Sequence, residues 1–255
     1  ETSEDHGIIR LIHKNIDIII SERMAERASR DTLAGLEGLQ GALKLETLPR
    51  AMECFDISNL QGADAVASMV SFRDGRPDKS GYRRYRIRGY EAADDPGMVH
   101  EVVARRIQYL VNEELPLPDL MIIDGGPAQL TRALEAAANF SAGIRIISLA
   151  KRFEEIYTEP GRGPLRLPLS SPALKILQNI RDEAHRFAIT YHRKLRDKKT
   201  TRSILDDTGI SSRAKKLLLE HFKSIDDIRK ATMEELMEVE GIGGKTAEKI
   251  HRFFH

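Results

Sequence analysis

Carboxylates inside apolar runs are the groups in this sequence most able to do chemistry. Asp56 sits within Met52 to Ile57, a short, mostly apolar stretch that also carries Glu53, and Asp124 ends the apolar run Leu120-Met121-Ile122-Ile123. A buried carboxylate is costly unless it is paired or faces a cation. Two carboxylates on neighbouring strands repel each other, and a divalent metal removes that repulsion. Such an ion also activates water and stabilises charge on a phosphate under attack. His185 stands out beside them, in Arg181-Asp182-Glu183-Ala184-His185-Arg186-Phe187, late in the last helix. Plainer readings stand beside this one. Asp124 precedes Gly125-Gly126, where a turn or helix-cap acid belongs, and His185 could be an ordinary surface or core histidine.

Groups suited to phosphate lie around these residues. Arg83-Arg84-Tyr85-Arg86-Ile87-Arg88 holds four arginines and no acid, and the stretch from Arg193 to Arg202 holds six basic residues against Asp197 alone. Basic clusters beside tyrosines suit a nucleic-acid backbone, although a solvated strand and a solvated linker have the same composition. Lys151, Arg152, Arg181 and Arg186 could steer phosphate, or could pair with Glu154, Asp182 and Glu183.

The chain ends in a repeat. Thr208-Gly209-Ile210-Ser211-Ser212-Arg213 aligns with Glu240-Gly241-Ile242-Gly243-Gly244-Lys245 at an offset of 32, with Leu218 on Ile250 and Phe222 on Phe254. Each copy is a Gly-containing turn opening a helix. Small residues let a backbone approach phosphate, and free N–H groups at a helix start bind its oxygens without reading sequence. The second copy is the stronger, because Ser211 replaces its second glycine in the first. A helical hairpin that binds protein is the alternative. Gly244-Lys245-Thr246 is no nucleotide-binding loop: the glycine that motif needs five residues earlier is Val239.

The elements that must position these groups follow from periodicity. Residues 1–48 read as a helical lead-in, with Ile12, Ile16, Ile19 and Ile20 at helical spacing and Gly35, Gly38 and Gly41 weakening the pattern before Pro49. Three strands follow, at Met52 to Ile57, Ala65 to Phe72 and Tyr82 to Arg88, as an antiparallel meander with a turn at Arg73 to Pro77. Then come a helix (Met98 to Glu114), a strand ending on Asp124, a helix opening at Pro127, a strand (Ile144 to Leu149), a polar excursion (Ile156 to Leu169) and a helix from Ser171-Pro172 to about Lys194. This is α/β, with a mixed sheet and flanking helices in the element order of the ribonuclease-H-like fold, plus a small all-α tail. The expected domains are 49–194, a basic linker at 195–202, and a paired helix-hairpin-helix at 203–255.

Composition agrees and excludes other classes. Hydrophobic residues at 41% and charged residues at 31% can bury a core, so wholesale disorder is excluded. No apolar run is long enough to span a bilayer, and the single Cys54 rules out an internal disulfide, which fits a reducing cytoplasm. The chain opens on Glu1 rather than Met, which we read as part of a longer protein.

Cys54-Phe55-Asp56-Ile57-Ser58, Tyr82-Arg83-Arg84-Tyr85, Ile123-Asp124-Gly125-Gly126, Leu149-Ala150-Lys151, Ile180 to Ala188 and Tyr191-His192-Arg193 resemble the successive signatures of the UvrC family, in order and at compatible spacing. The resemblance covers residues 49–255 well and the leading helix loosely. It implies a ribonuclease-H-like endonuclease that makes the 5′ incision beside a lesion in nucleotide excision repair, with Asp56, Asp124 and His185 as catalytic triad. A further family aspartate maps onto Asp95, next to Asp94, although Pro96-Gly97 departs from the family pattern. Asn59 stands where the family usually has histidine. The implied cofactor is Mg or Mn, since oxygen-rich ligation favours these ions. The implied partners are damaged double-stranded DNA and, for the longer protein, a UvrB-type helicase subunit; we expect a monomer and no membrane. The family's N-terminal GIY-YIG nuclease and its UvrB-binding segment are not evident. Competing readings are a non-catalytic DNA-binding scaffold, an endonuclease V-like enzyme and a ribonuclease acting on hybrids.

Overall fold

The computed structural model describes residues 3–59, 65–87, 95–140, 143–222 and 224–255, with the side chains of 3–12, 58–59, 65, 192–203 and 206 outside the description. Arg88 and Asp94 therefore lie outside the described residues, as does the side chain of Asn59. The chain divides into two compact units, Glu1–Ala188 and Ile189–His255.

In the first unit, helix α1 (Ser3–Leu43) leads into strand β1 (Ala51–Asn59), β2 (Ala65–Arg73), the two-residue β3 (Arg76–Pro77) and β4 (Arg83–Arg86). Helix α2 (Asp95–Asn112), β5 (Leu120–Asp124), α3 (Pro127–Ala138), β6 (Arg145–Ala150), β7 (Glu155–Tyr157) and α4 (Pro172–Asp207) follow. The sheet runs β3-β2-β1-β5-β6-β7, with β4 also paired to β2. The β1–β2 and β6–β7 pairs are antiparallel, whereas β1–β5 and β5–β6 are parallel and joined by the helices α2 and α3. This is the ribonuclease-H-like mixed sheet that the element order predicts.

Period-two alternation assigns every strand residue to a face. Met52 and Cys54 of β1, Val70 and Phe72 of β2, and Leu120 and Ile122 of β5 pack with α1 and α4. Phe55, Ala67, Met69, Met121 and Ile123 face the other way, onto α2 and α3. The two acids of β1 are separated by the same parity. Glu53 points to the α2 face and receives the Arg106 guanidinium at two points, Nε at 3.0 Å and Nη2 at 2.5 Å, both side chains being buried. Asp56 points to the opposite face, toward α4.

Three expectations change. The glycines of α1 do more than weaken it. A Cβ on Gly35 would lie 2.5 Å from Ile176 Cδ1 and 3.0 Å from the Pro172 carbonyl, and one on Gly38 would lie 3.0 Å from the Ala173 Cβ. These glycines allow α1 and α4 to cross closely and let Leu36, Leu39 and Leu43 enter the core. The second strand has two partners beyond β1, because Arg76–Pro77, expected as turn, pairs with its end. The last helix does not stop near Lys194: no Gly or Pro occurs between Pro172 and Thr208, so α4 continues through the segment expected as a linker.

In the second unit, the end of α4, α5 (Ser212–His221), α6 (Ile225–Lys230), α7 (Met233–Met237) and α8 (Gly244–Phe254) enclose a core that includes Leu205, Ile210, Leu218, Leu236, Ile242 and Ile250. The repeated turns are alike. Gly209 at φ 66° and Gly241 at φ 89° take the left-handed conformation that glycine adopts without steric cost, and each is followed by a buried isoleucine. The tail is thus a pair of helix-hairpin-helix copies.

Candidate active site

The parallel pairing of β1 with β5 sets the acids side by side. Phe55 is the partner of Ile123, so Asp56 and Asp124 come next, both on the α4 face. Asp56 is 6% exposed. From α4, His185 places Nδ1 3.8 Å from Asp56 Oδ1, and its side chain stays half exposed. One ligand atom each from Asp56, Asp124 and His185 lie within 4.8 Å of one another.

The plain reading of Asp124 as a cap does not survive. The N-cap of α3 is Gly126, and its N–H donates to the Gln129 side-chain oxygen at 3.1 Å. Ser148 Oγ donates to the Gly126 carbonyl at 3.1 Å, and the Gly125 N–H donates to the Leu149 carbonyl at 3.2 Å. The turn after Asp124 is held without its carboxylate. The sequence marks Gln129 only as a glutamine three residues into a helix opening at Gly126-Pro127, and gives no signal for Ser148.

Electrostatics mark the site as short of positive charge. Burial, then the charge of Asp56 and a hydrogen bond with it, push the Asp124 carboxyl up to about 6, against the opposing pull of Arg181 and His185. The Cys54 thiol, two residues from Asp56, is also pushed up, first by burial and then by Asp124 and Asp56. Two carboxylates that resist joint ionisation, with an imidazole at coordinating distance, form a donor set that fits a divalent cation.

The other candidate residues are distributed around this centre. Arg181 is buried, with Nη1 2.5 Å from Glu154 and Nη2 3.0 Å from Asp182. Arg186 makes two hydrogen bonds to Glu183, which also accepts from the Tyr82 hydroxyl at 2.8 Å. The ion-pair alternative therefore describes both arginines. Lys151 and Arg152 are exposed in the turn after β6. Arg83 and Arg84 lie exposed on β4, and Arg84 stacks 4.1 Å from the centre of the Phe187 ring. Asp95 is in the first turn of α2 and is not among the three gathered donors. In the second unit, Ser211 Oγ accepts from the Ala214 N–H and so occupies a helix-start donor, whereas Gly243 caps α8 with no side chain, beside exposed Gly244 and Lys245.

Residues 40–189 match the family described as UvrC RNAse H endonuclease domain, and residues 210–255 match the helix-hairpin-helix motif. The chain is 47% identical over 252 residues to the UvrABC system protein C of Leptospira biflexa serovar Patoc, covering 98% of this chain and 41% of that protein. It is 43% identical over 257 residues to the protein of the same name from Chlorobaculum tepidum, covering 99% and 41%. The chain thus spans about two fifths of the length of these relatives. A solved structure of Ciona intestinalis endonuclease V with inosine-containing DNA aligns over 52% of this chain and 59% of its own at 18% identity, with a TM-score of 0.31. Among the described residues, no helix is long and apolar enough to cross a membrane.

Proposed function

The chain belongs to the UvrC RNase H endonuclease domain family, and on that premise we propose that it hydrolyses DNA phosphodiester bonds at Asp56, Asp124 and His185, making in the longer protein the 5′ incision beside a lesion in nucleotide excision repair. The observation that carries this reading is the convergence of the three donor groups within 4.8 Å on one face of the sheet. Asp56, Asp124 and His185 would hold the divalent ion, Mg or Mn. When bound, that ion supplies Lewis-acid polarisation of the phosphodiester and neutralises charge developing on it. His185, half exposed beside Asp56, donates a lone pair as a neutral ligand or exchanges a proton with solvent at the imidazole.

The helix-hairpin-helix pair binds the backbone of damaged double-stranded DNA through the turns Gly209-Ile210-Ser211 and Gly241-Ile242-Gly243-Gly244-Lys245. Arg83, Arg84 and Lys151 add positive charge near the acids. In the longer, cytoplasmic protein a UvrB-type subunit would present the lesion.

Nicking of supercoiled plasmid in Mg or Mn tests the reading. The native chain should nick, while Asp56→Asn and Asp124→Asn should fall to background with DNA binding unchanged. Equal nicking by all three proteins would refute the site.

A further inference from the structure

We propose that Phe153 is a stacking platform for an unpaired nucleobase next to the phosphate held at the acid site; this rests on the endonuclease reading above. Strand β6 runs parallel to β5, with Leu149 the partner of Asp124. One residue after Leu149 the strand ends, and Ala150 pairs with Glu155 across the turn Lys151-Arg152-Phe153-Glu154. The turn therefore leaves the sheet at the end where the acids sit, beginning two residues beyond the level of Asp124.

Phe153 is 60% exposed on this turn. Leaving so much aromatic surface in water has no folding benefit. Nor is the turn a loose loop on which the ring is exposed by default. Glu154 takes φ 52°, unusual for a residue with a side chain, and its carboxylate is held at 2.5 Å by the buried Arg181. Arg181 stands four residues, about one helical turn, before His185 on α4. The acid site and the turn thus share an anchor. On the other arm, Glu155 is held by Arg166 and by the Tyr157 hydroxyl.

The surroundings of the ring specify the ligand. The Arg152 guanidinium lies 5.1 Å from its centre, and Lys151 is exposed next in the chain. A ring with one guanidinium over it, on a turn that also carries an exposed lysine, matches a nucleobase with a neighbouring phosphate. Stacking on an aromatic ring is indifferent to base identity. It requires only that the base be unstacked from one neighbour, as at a locally opened duplex. The interior of a fully paired duplex offers no such face.

The chain contains no tryptophan, so Phe153→Trp places a single fluorescent indole on the turn. The probe is a duplex oligonucleotide with a few unpaired bases, in buffer without divalent metal, beside the fully paired duplex as control. The indole emission of this variant should fall by about half or more when the bubble binds, and little with paired DNA. Phe153→Ala should weaken bubble binding and raise KM about tenfold with little change in kcat, and Phe153→Tyr should restore both. Binding seen by anisotropy of a labelled strand without quenching, or a Phe153→Ala variant as tight as native, overturns the proposal. Nicking by the native chain separates the two ideas. Quenching without nicking sinks the nuclease reading alone, and nicking without quenching sinks this one alone.

Discussion

Asp124 is held in its native site as a reluctant anion, and that has a sign that can be measured. Its carboxyl is raised from 3.8 to about 6, mainly by burial and then by Asp56. The folded state therefore binds a proton more tightly than the unfolded state does. Between about pH 4 and 6 the unfolded chain gives up its proton first, so stability falls as pH rises through that window, and above it the penalty is fully present. Fully developed, the penalty is on the order of 3 kcal/mol. The metal-free native protein should lose several degrees of Tm between pH 4.5 and pH 7.5 relative to Asp124→Asn, whose amide can still donate to Asp56. A divalent ion should stabilise the native protein at pH 7.5 far more than the variant. Parallel pH slopes in thermal melts of the two proteins would contradict this account. Much of this residue chemistry was legible in the sequence, because acids inside apolar strands are rare enough to stand out. Their partners were not. Glu53 and Asp56 share a strand, and only the parity of a paired sheet sends one to Arg106 and the other to the site.

Elements were easier to recognise than to dock. The strands and most helices follow from apolar periodicity, and the order of parallel and antiparallel connections follows from the helices between them. The packing of α1 on α4 did not follow, since glycines in a helix lower its propensity whether or not another helix needs their space. The three glycines of α1 separate these roles. A Cβ at Gly41 meets nothing within 4 Å, whereas one at Gly35 meets Ile176 and the Pro172 carbonyl. Gly41→Ala should stabilise the protein by about 0.5 kcal/mol through propensity alone. Gly35→Leu should destabilise it by about 2 kcal/mol or more, by forcing the helices apart or overpacking Leu39 and Ile176. Chemical denaturation of both variants checks the contrast. Equal effects would mean that α1 does not depend on a close crossing.

At the scale of the whole molecule, the sequence carries two kinds of signal, one in each unit. The gathered acids lie in the first unit, and the repeated glycine turns lie in the second. The repeat was legible because a left-handed turn before a helix demands glycine at the same place twice. The boundary was not. A run of basic residues looks the same as a solvated linker and as the exposed surface of a helix, and only the lack of any Gly or Pro hinted that α4 goes on to Asp207. The proposed separation of DNA binding from cutting predicts how charge at the tail should act. Lys245 is exposed in the first turn of α8, whose N-cap, Gly243, has no side chain to cover the helix start. If its ammonium sits on a DNA phosphate, Lys245→Ala removes one counterion-releasing contact, and the slope of log K against log salt should fall in magnitude by about 1. Affinity at moderate salt should weaken several-fold for every DNA sequence alike, because a phosphate contact reads none. The melting temperature should not move, since the side chain is solvated, and kcat at saturating DNA should stay native, since the acids are untouched. A fall in kcat with the salt slope intact would assign Lys245 to the chemistry of the first unit and end the separation of binding from cutting.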